Sequence, residues 1–209
     1  NDNGYGIYIS RSADNRIEDN MIKNNGDDGI YMRYSGDNIV SDNQITQNNM
    51  HGINLYSSSD NTITDNSANS NDGKGISLNH FSDNNILTDN SANSNDDAGI
   101  YLDQSDNNVL TDNIANWNKY GFVLYNASKN TLTGNTANSN DYLGIHLYHS
   151  SNNNNIINNQ IGNSVYQHGV YIEHSNNTLI QDNEISKNDD YGLYFVYANN
   201  NTVTNNTIN

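Results

Sequence analysis

The chain has 209 residues, with 24 Asp and Glu against 8 Lys and Arg, and it contains neither Cys nor Pro. That length allows one domain or at most two. No apolar run approaches the ~20 residues of a membrane span, and a net charge of −16 argues against nucleic acid, a polyanion bound through Lys and Arg. The lack of Cys excludes disulfides, thiolate metal sites and a cysteine nucleophile; with nearly a quarter of the chain Asn and few large aliphatic residues, composition alone points to disorder.

Periodicity overturns that reading. From the N-terminus onward a Gly followed by apolar-x-apolar recurs at Gly6, Gly29, Gly52, Gly75, Gly99, Gly121, Gly144, Gly169 and Gly192, at intervals of 22 to 25 residues. Within each repeat the same order follows. The glycine segment carries two apolar columns, Ile7 to Leu193 and Ile9 to Phe195. Next comes an Asn column running from Asn15 to Asn201, broken only by Thr178, and then a single apolar residue, Ile17, Val40, Ile63 and on to Val203. A second Asn column without exception (Asn20 to Asn206) precedes the apolar column Ile22 to Ile208, and a third (Asn25 to Asn188, broken by Ser164) closes the unit.

Alternation of period two within each short segment predicts strands, and no stretch offers a 3.6-residue stripe long enough for a helix. Three short strands and their turns cannot bury an apolar side alone, so each copy must stack on the next. The expected fold is all-β: a right-handed parallel β-helix of about nine coils, one domain over residues 1–209, with like residues about 4.8 Å apart along a rod of roughly 40 Å. A leucine-rich solenoid would need a helical half and a Leu-x-x-Leu-x-Leu register, and both are missing. The Asn columns are expected at the corners, taking left-handed backbone and bonding the same amide one coil up. Pro is absent because nearly every backbone N–H is needed by a neighbouring coil.

The repeat, best seen in Asn61-Thr62-Ile63-Thr64-Asp65-Asn66 and Asn130-Thr131-Leu132-Thr133-Gly134-Asn135, resembles the PbH1 or NosD-type β-helix repeats grouped as CASH domains, carbohydrate-binding proteins and sugar hydrolases. Its Asn-rich form also resembles surface proteins of methanogenic archaea, including disaggregatase-related proteins that act on cell-surface polysaccharide. The resemblance covers the whole chain and implies a β-helix; for activity it implies an enzyme, a binding module or a coat protein alike. Mannuronan epimerases of this kind carry a Tyr-Gly-Phe-Asp-Pro-His motif at the glycine strand. Here Tyr120-Gly121-Phe122-Val123-Leu124-Tyr125 lacks the Asp, Pro and His, which counts against that chemistry.

All 15 Tyr and all 6 His lie between three residues before and five after a repeat Gly, so one face of the rod holds them. Tyr8, Tyr31, Tyr101, His146, Tyr171 and Tyr194 stand two after Gly, while Tyr56, Tyr125 and Tyr148 stand four after. Flat aromatic faces suit the C–H patches of sugar rings, and their spacing along the rod suits an extended polymer. High β-propensity of Tyr and packing on another rod are the competing explanations. Candidates for acid–base work on this face are Asp103, near His80 and Tyr101, and Glu173, beside His149, His174 and Tyr148. Three coils separate Asp103 from Glu173, roughly 14 Å, too far for a glycosidase pair.

Acidic columns are the second constellation. Asp19, Asp42, Asp65, Asp89 and Asp112 recur in five successive coils, and Asp14, Asp37 and Asp60 in three. Stacked like charges repel, so Ca²⁺ is a candidate ligand, against solvated Asx-turns as the alternative. Sequons at Asn126, Asn176, Asn200 and Asn205 are expected at exposed positions. The repeat is interrupted at both termini, which predicts a piece of a longer chain or a subunit that stacks end to end. Taken together the sequence predicts an extracellular or cell-surface protein whose Tyr/His face binds polysaccharide or joins a surface assembly. The alternatives are a glycan hydrolase or lyase and a purely structural filament.

Overall fold

A computed structural model describes residues 3–209. The chain winds as nine coils, and every described strand pairs in parallel with its counterpart one coil away. The glycine segments form a nine-stranded sheet from Ile7–Ser10 to Leu193–Val196, in register Ile7 to Ile30, Ile30 to Ile53 and onward. A second nine-stranded sheet runs from Arg16–Glu18 to Thr202–Thr204. The third is split into three strands (Met21–Lys23 to Ser67–Asn69) and four (Thr136–Asn138 to Thr207–Ile208), bridged by Ser67, Ser91, Ile114 and Thr136. This is the right-handed, helix-free solenoid that the 23-residue period requires.

The apolar columns fill the bore. Ile53, Leu55, Ile63 and Ala68 of one coil are fully buried, as are their equivalents Ile76, Leu78, Leu87 and Ala92. A residue with a side chain at the repeat Gly would collide with this wall: a Cβ on Gly75 would sit 2.7 Å from Ala92 Cβ and 2.7 Å from the Gly99 carbonyl oxygen. Close approach, not backbone conformation, therefore fixes the glycine period.

The Asn ladders sit just inside the corners and are buried. At Asn90 the side-chain oxygen accepts from the Asn66 backbone N–H and amide, both at 3.0 Å; its own amide donates to Ile63 O at 2.8 Å and to Asn113 Oδ1 at 2.9 Å. Turn backbone that parallel strands leave unpaired is thus satisfied by side chains. The left-handed residue is not the ladder Asn, as the sequence suggested, but the residue before it: Asp19, Asp42, Asp65, Asp89 and Asp112 have φ of 54–56°. Asp14, Asp37 and Asp60 do the same at the first Asn corner, with φ of 55–61°. Asp and Asn tolerate this region better than other side chains, and Gly134, with φ 68°, takes the same place one coil after Asp112. A fourth ladder, not recognised in the sequence, is built of Ser: Ser35 N–H donates to Ser58 Oγ at 3.0 Å, and Ser82 N–H to Ser105 Oγ at 3.2 Å.

Candidate functional site

The glycine sheet is regular except on its fifth, sixth and seventh coils. There its strands lengthen from four residues to six, at Ala98–Asp103, Tyr120–Tyr125 and Leu143–Tyr148. The repeat spacing also changes on two of these coils. Between Asn118 and Gly121 the chain has one residue fewer than in neighbouring coils, which draws Tyr120 into the strand. In the seventh coil an extra residue is absorbed by two successive left-handed residues, His149 (φ 52°) and Ser150 (φ 66°). His80 and Phe81 take up an insertion in the fourth coil in the same way.

Along the outward column two after Gly, aromatic rings fill most coils, but Val123 replaces one between Tyr101 and His146. The missing ring leaves a cavity of about 360 Å³ lined by Lys74, Asp97, Ala98, Tyr101, Tyr120, Val123, His146 and Tyr148. That volume is in the range of small-ligand pockets. Val123, 4% exposed, is its floor.

Each wall is fixed by contacts across coils. Lys74 Nζ lies 3.2 Å from Asp97 Oδ2 and 4.6 Å from the centre of the Tyr101 ring. The backbone N–H of Lys74 donates to His51 Nδ1 at 3.0 Å. The backbone N–H of His51 donates to the buried Asp28 carboxylate at 2.9 Å, and Asn54 Nδ2 donates to the same group at 2.8 Å. Burial pushes Asp28 up to about 6 and His51 down to about 4. Burial, and then the neighbouring Tyr148, raises the Tyr101 hydroxyl well above its usual range. His146 stacks on Tyr148 (4.4 Å, 8°) and on Tyr171 (5.0 Å, 9°). Burial pushes its imidazole down to about 4, with His149 and His168 adding to the effect. Its Nε2 is buried and has no protein partner. At neutral pH the cavity therefore holds a neutral imidazole with unused hydrogen-bonding capacity, phenol hydroxyls and a self-neutralised ion pair.

A wider, more open cavity of about 590 Å³ lies on the same coils, lined by Gln104, Tyr125, Asn126, His149, Ser150 and His174. The Tyr125–Tyr148 pair, with ring centroids 4.8 Å apart, stands as a ridge between the two cavities.

The residues singled out by sequence distribute unevenly over this geometry. Tyr101, His146 and Tyr148 line the first cavity, Tyr125, His149 and His174 the second. Tyr8 and Tyr31 form a separate group with Tyr5, Tyr56 stacks on His80 at 4.5 Å, and Tyr171 stacks on Tyr194 at 5.2 Å. Asp103 and Glu173 are not brought together, because Tyr125 and Tyr148 occupy their column on the coils between. The Asp103 carboxylate accepts from Gln104 Nε2 at 3.1 Å, and Glu173 Oε1 lies 3.9 Å from His174 Nε2. Among the described residues no three His, Asp or Glu side chains are grouped so as to hold a metal ion. The Asp19 to Asp112 column is exposed, and corner backbone conformation accounts for its residue type. Of the sequons, Asn126, Asn200 and Asn205 are exposed, but Asn176 is not: its oxygen accepts the Asn199 N–H at 2.7 Å.

Lys74 and Val123 were not anticipated, nor was the pairing of Asp97 with Lys74. The usable signal was there in the 22-residue interval from Gly99 to Gly121 and in the break that Val123 makes in an aromatic column.

The chain belongs to the family described as right handed beta helix region, whose model matches residues 5–161 and 153–209. Among solved structures it is similar to the A-module of a mannuronan C-5 epimerase of Azotobacter vinelandii, with TM-score 0.86 and 20% identity over 92% of this chain and 57% of that one. It is also similar to a variant of a periplasmic alginate epimerase (TM-score 0.84, 22% identity, 94% of this chain and 55% of that one). A third similar structure is a DFA-IIIase of Arthrobacter chlorophenolicus (TM-score 0.69, 15% identity, 88% and 52%). At these identities the likeness establishes the fold, and the chain spans little more than half the length of each. No curated protein matches in sequence.

Proposed function

We propose that this β-helix binds polysaccharide on its glycine face, with one sugar unit lodged in the cavity over Val123 and neighbouring units on the flanking Tyr and His rings. The observation that carries the reading is the cavity itself. Of the three coils whose outward column lacks a ring (Asn54, Ser77 and Val123), only Val123 stands between two rings, and the cavity lies there; His146, whose buried Nε2 has no protein partner, is one of its lining residues. Buried polar atoms are rarely left without a partner, and a sugar hydroxyl is a fitting one. Aromatic walls with a few polar groups are the composition expected of a glycan site. The names of two of the similar structures, a mannuronan epimerase and an alginate epimerase, support a carbohydrate ligand. The resemblance to surface repeat proteins of the NosD and CASH kind favours a location outside the cell or on its surface.

A second reading, turnover of the bound glycan, rests on the same His146: a neutral imidazole beside the Tyr101 and Tyr148 hydroxyls has the groups for proton transfer. Asp103 and Glu173 do not line this cavity.

The test is Val123→Tyr. Tyr already occupies the equivalent position in Tyr8, Tyr31, Tyr101, Tyr171 and Tyr194, so the fold accepts it while the ring fills the cavity. Retention on immobilised polysaccharide should fall at least tenfold with an unchanged circular-dichroism spectrum. Full retention in a folded Val123→Tyr protein would refute the site. Release of reducing or unsaturated ends by the wild type, lost in His146→Phe, would establish turnover instead of binding alone.

A further inference from the structure

Resting on the glycan-binding reading, we infer that the polymer recognised over Val123 is an uncharged polysaccharide, in contrast to the mannuronan named for the similar epimerases. A carboxylate or sulfate on a sugar ring is held by an Arg fork or a free Lys ammonium facing the ligand. The glycine face has four such cations, Arg11, Arg33, Lys74 and Lys119, and of these only Lys74 lines the cavity. Lys74, the cation of the cavity, is paired with Asp97 at 3.2 Å. Arg33 lies 4.9 Å from the Tyr34 ring centre and Arg11 6.0 Å from it, while Lys119 lies 5.4 Å from Tyr120 and 5.8 Å from Tyr142.

The remaining charges point the same way. Asp28, Asp103, Glu173 and Asp190 add negative charge to this face without a Lys or Arg ion pair, and the whole chain carries −16. A polyanion approaching it is repelled over a Debye length of about 10 Å at ordinary salt. The His146 ring supplies no compensating positive charge at neutral pH. What the cavity offers is the three phenols of Tyr101, Tyr120 and Tyr148, the His146 imidazole and aromatic faces. These are groups for hydroxyls and C–H surfaces.

Affinity electrophoresis through gels carrying mannan, xylan or β-glucan (uncharged), alginate or polygalacturonate (polyuronate), or chitosan (cationic) tests this, run at low salt and at about 0.5 M NaCl. The expected result is retardation by an uncharged polymer that changes less than twofold with salt and disappears in Val123→Tyr. Retardation only by a polyuronate or by chitosan, weakened tenfold or more by salt and still abolished by Val123→Tyr, would overturn the inference and leave the glycan site standing. Retardation by none of them, or retardation that Val123→Tyr does not alter, would overturn the site reading and the inference with it.

Discussion

Strand Tyr120–Tyr125 shows two sides of one molecule. Inward, Phe122 and Leu124 are fully buried and take the positions of Ile100 and Leu102 one coil before and Ile145 and Leu147 one coil after. Outward, Val123 stands where its neighbours carry Tyr101 and His146. The inner wall repeats because every coil closes the same bore against the same ladders, and a departure in one coil leaves a void or a clash in the next. The outer face has no such partner, so its departures are free to follow a ligand. In a solenoid the informative residue is the exception on the outside, and here the lengthened strands that carry it lie on three adjacent coils.

That contrast can be broken most severely on the inside. Replacing Asn90 by Ala removes the acceptor of the buried Asn66 N–H and the amide bonds to Ile63 O and Asn113 Oδ1; at about 1–3 kcal/mol for the orphaned group and about 1 kcal/mol for each lost amide bond, unfolding in urea should show a loss of about 3–5 kcal/mol. The same change at exposed Asn20 should cost less than about 1 kcal/mol. Equal losses at the two positions would sink the account of the ladder.

On the outside the order reverses. Val123→Tyr should abolish glycan retention while the thermal midpoint stays level or rises, because the added ring packs between aromatic neighbours as in other coils. A large drop in midpoint would mean that the cavity is part of the core.

The pH response sharpens the comparison further. Native His146 stays neutral down to about pH 4, whereas in the unfolded chain it takes up a proton near 6.5. The unfolded state therefore binds more protons between those values. Stability is complete above pH 6.5 and declines as pH falls towards 4, by about 3 kcal/mol for this residue. His51 acts in the same sense. Asp28 opposes them, since its native carboxyl holds a proton up to about pH 6 and so adds stability that is lost as pH rises from 3.8 to 6. Denaturation midpoints followed from pH 7 to 4 should fall, and His146→Tyr should flatten the curve. An identical slope in the variant would remove burial as the cause.

The smallest effect is expected at the corners. Asp89→Asn keeps a side chain suited to left-handed backbone and removes one of the stacked charges, so the midpoint should shift by less than about 0.5 kcal/mol and should not respond to a chelator. A marked loss reversed by Ca²⁺ would restore the acidic column as a cation site.

The sequence by itself determined the coil. Repeat glycines, apolar pairs and Asn columns recur in register because stacked copies must meet like with like, and a one-dimensional pattern suffices to describe a nearly one-dimensional fold. It also confined Tyr and His to the glycine strands and the turns that flank them. Tertiary structure alone decided which of those residues meet. Lys74 and Asp97 come from successive coils, Tyr101 and Tyr148 from coils two apart, and the space between them exists because one ring is absent at Val123. It also moved the left-handed backbone from the ladder Asn to the residue before it, because the Asn side chain must point inward to bond the next coil while its neighbour turns the corner. Period fixes what is repeated; a site is made of differences between coils, and those acquire meaning only when the coils are stacked.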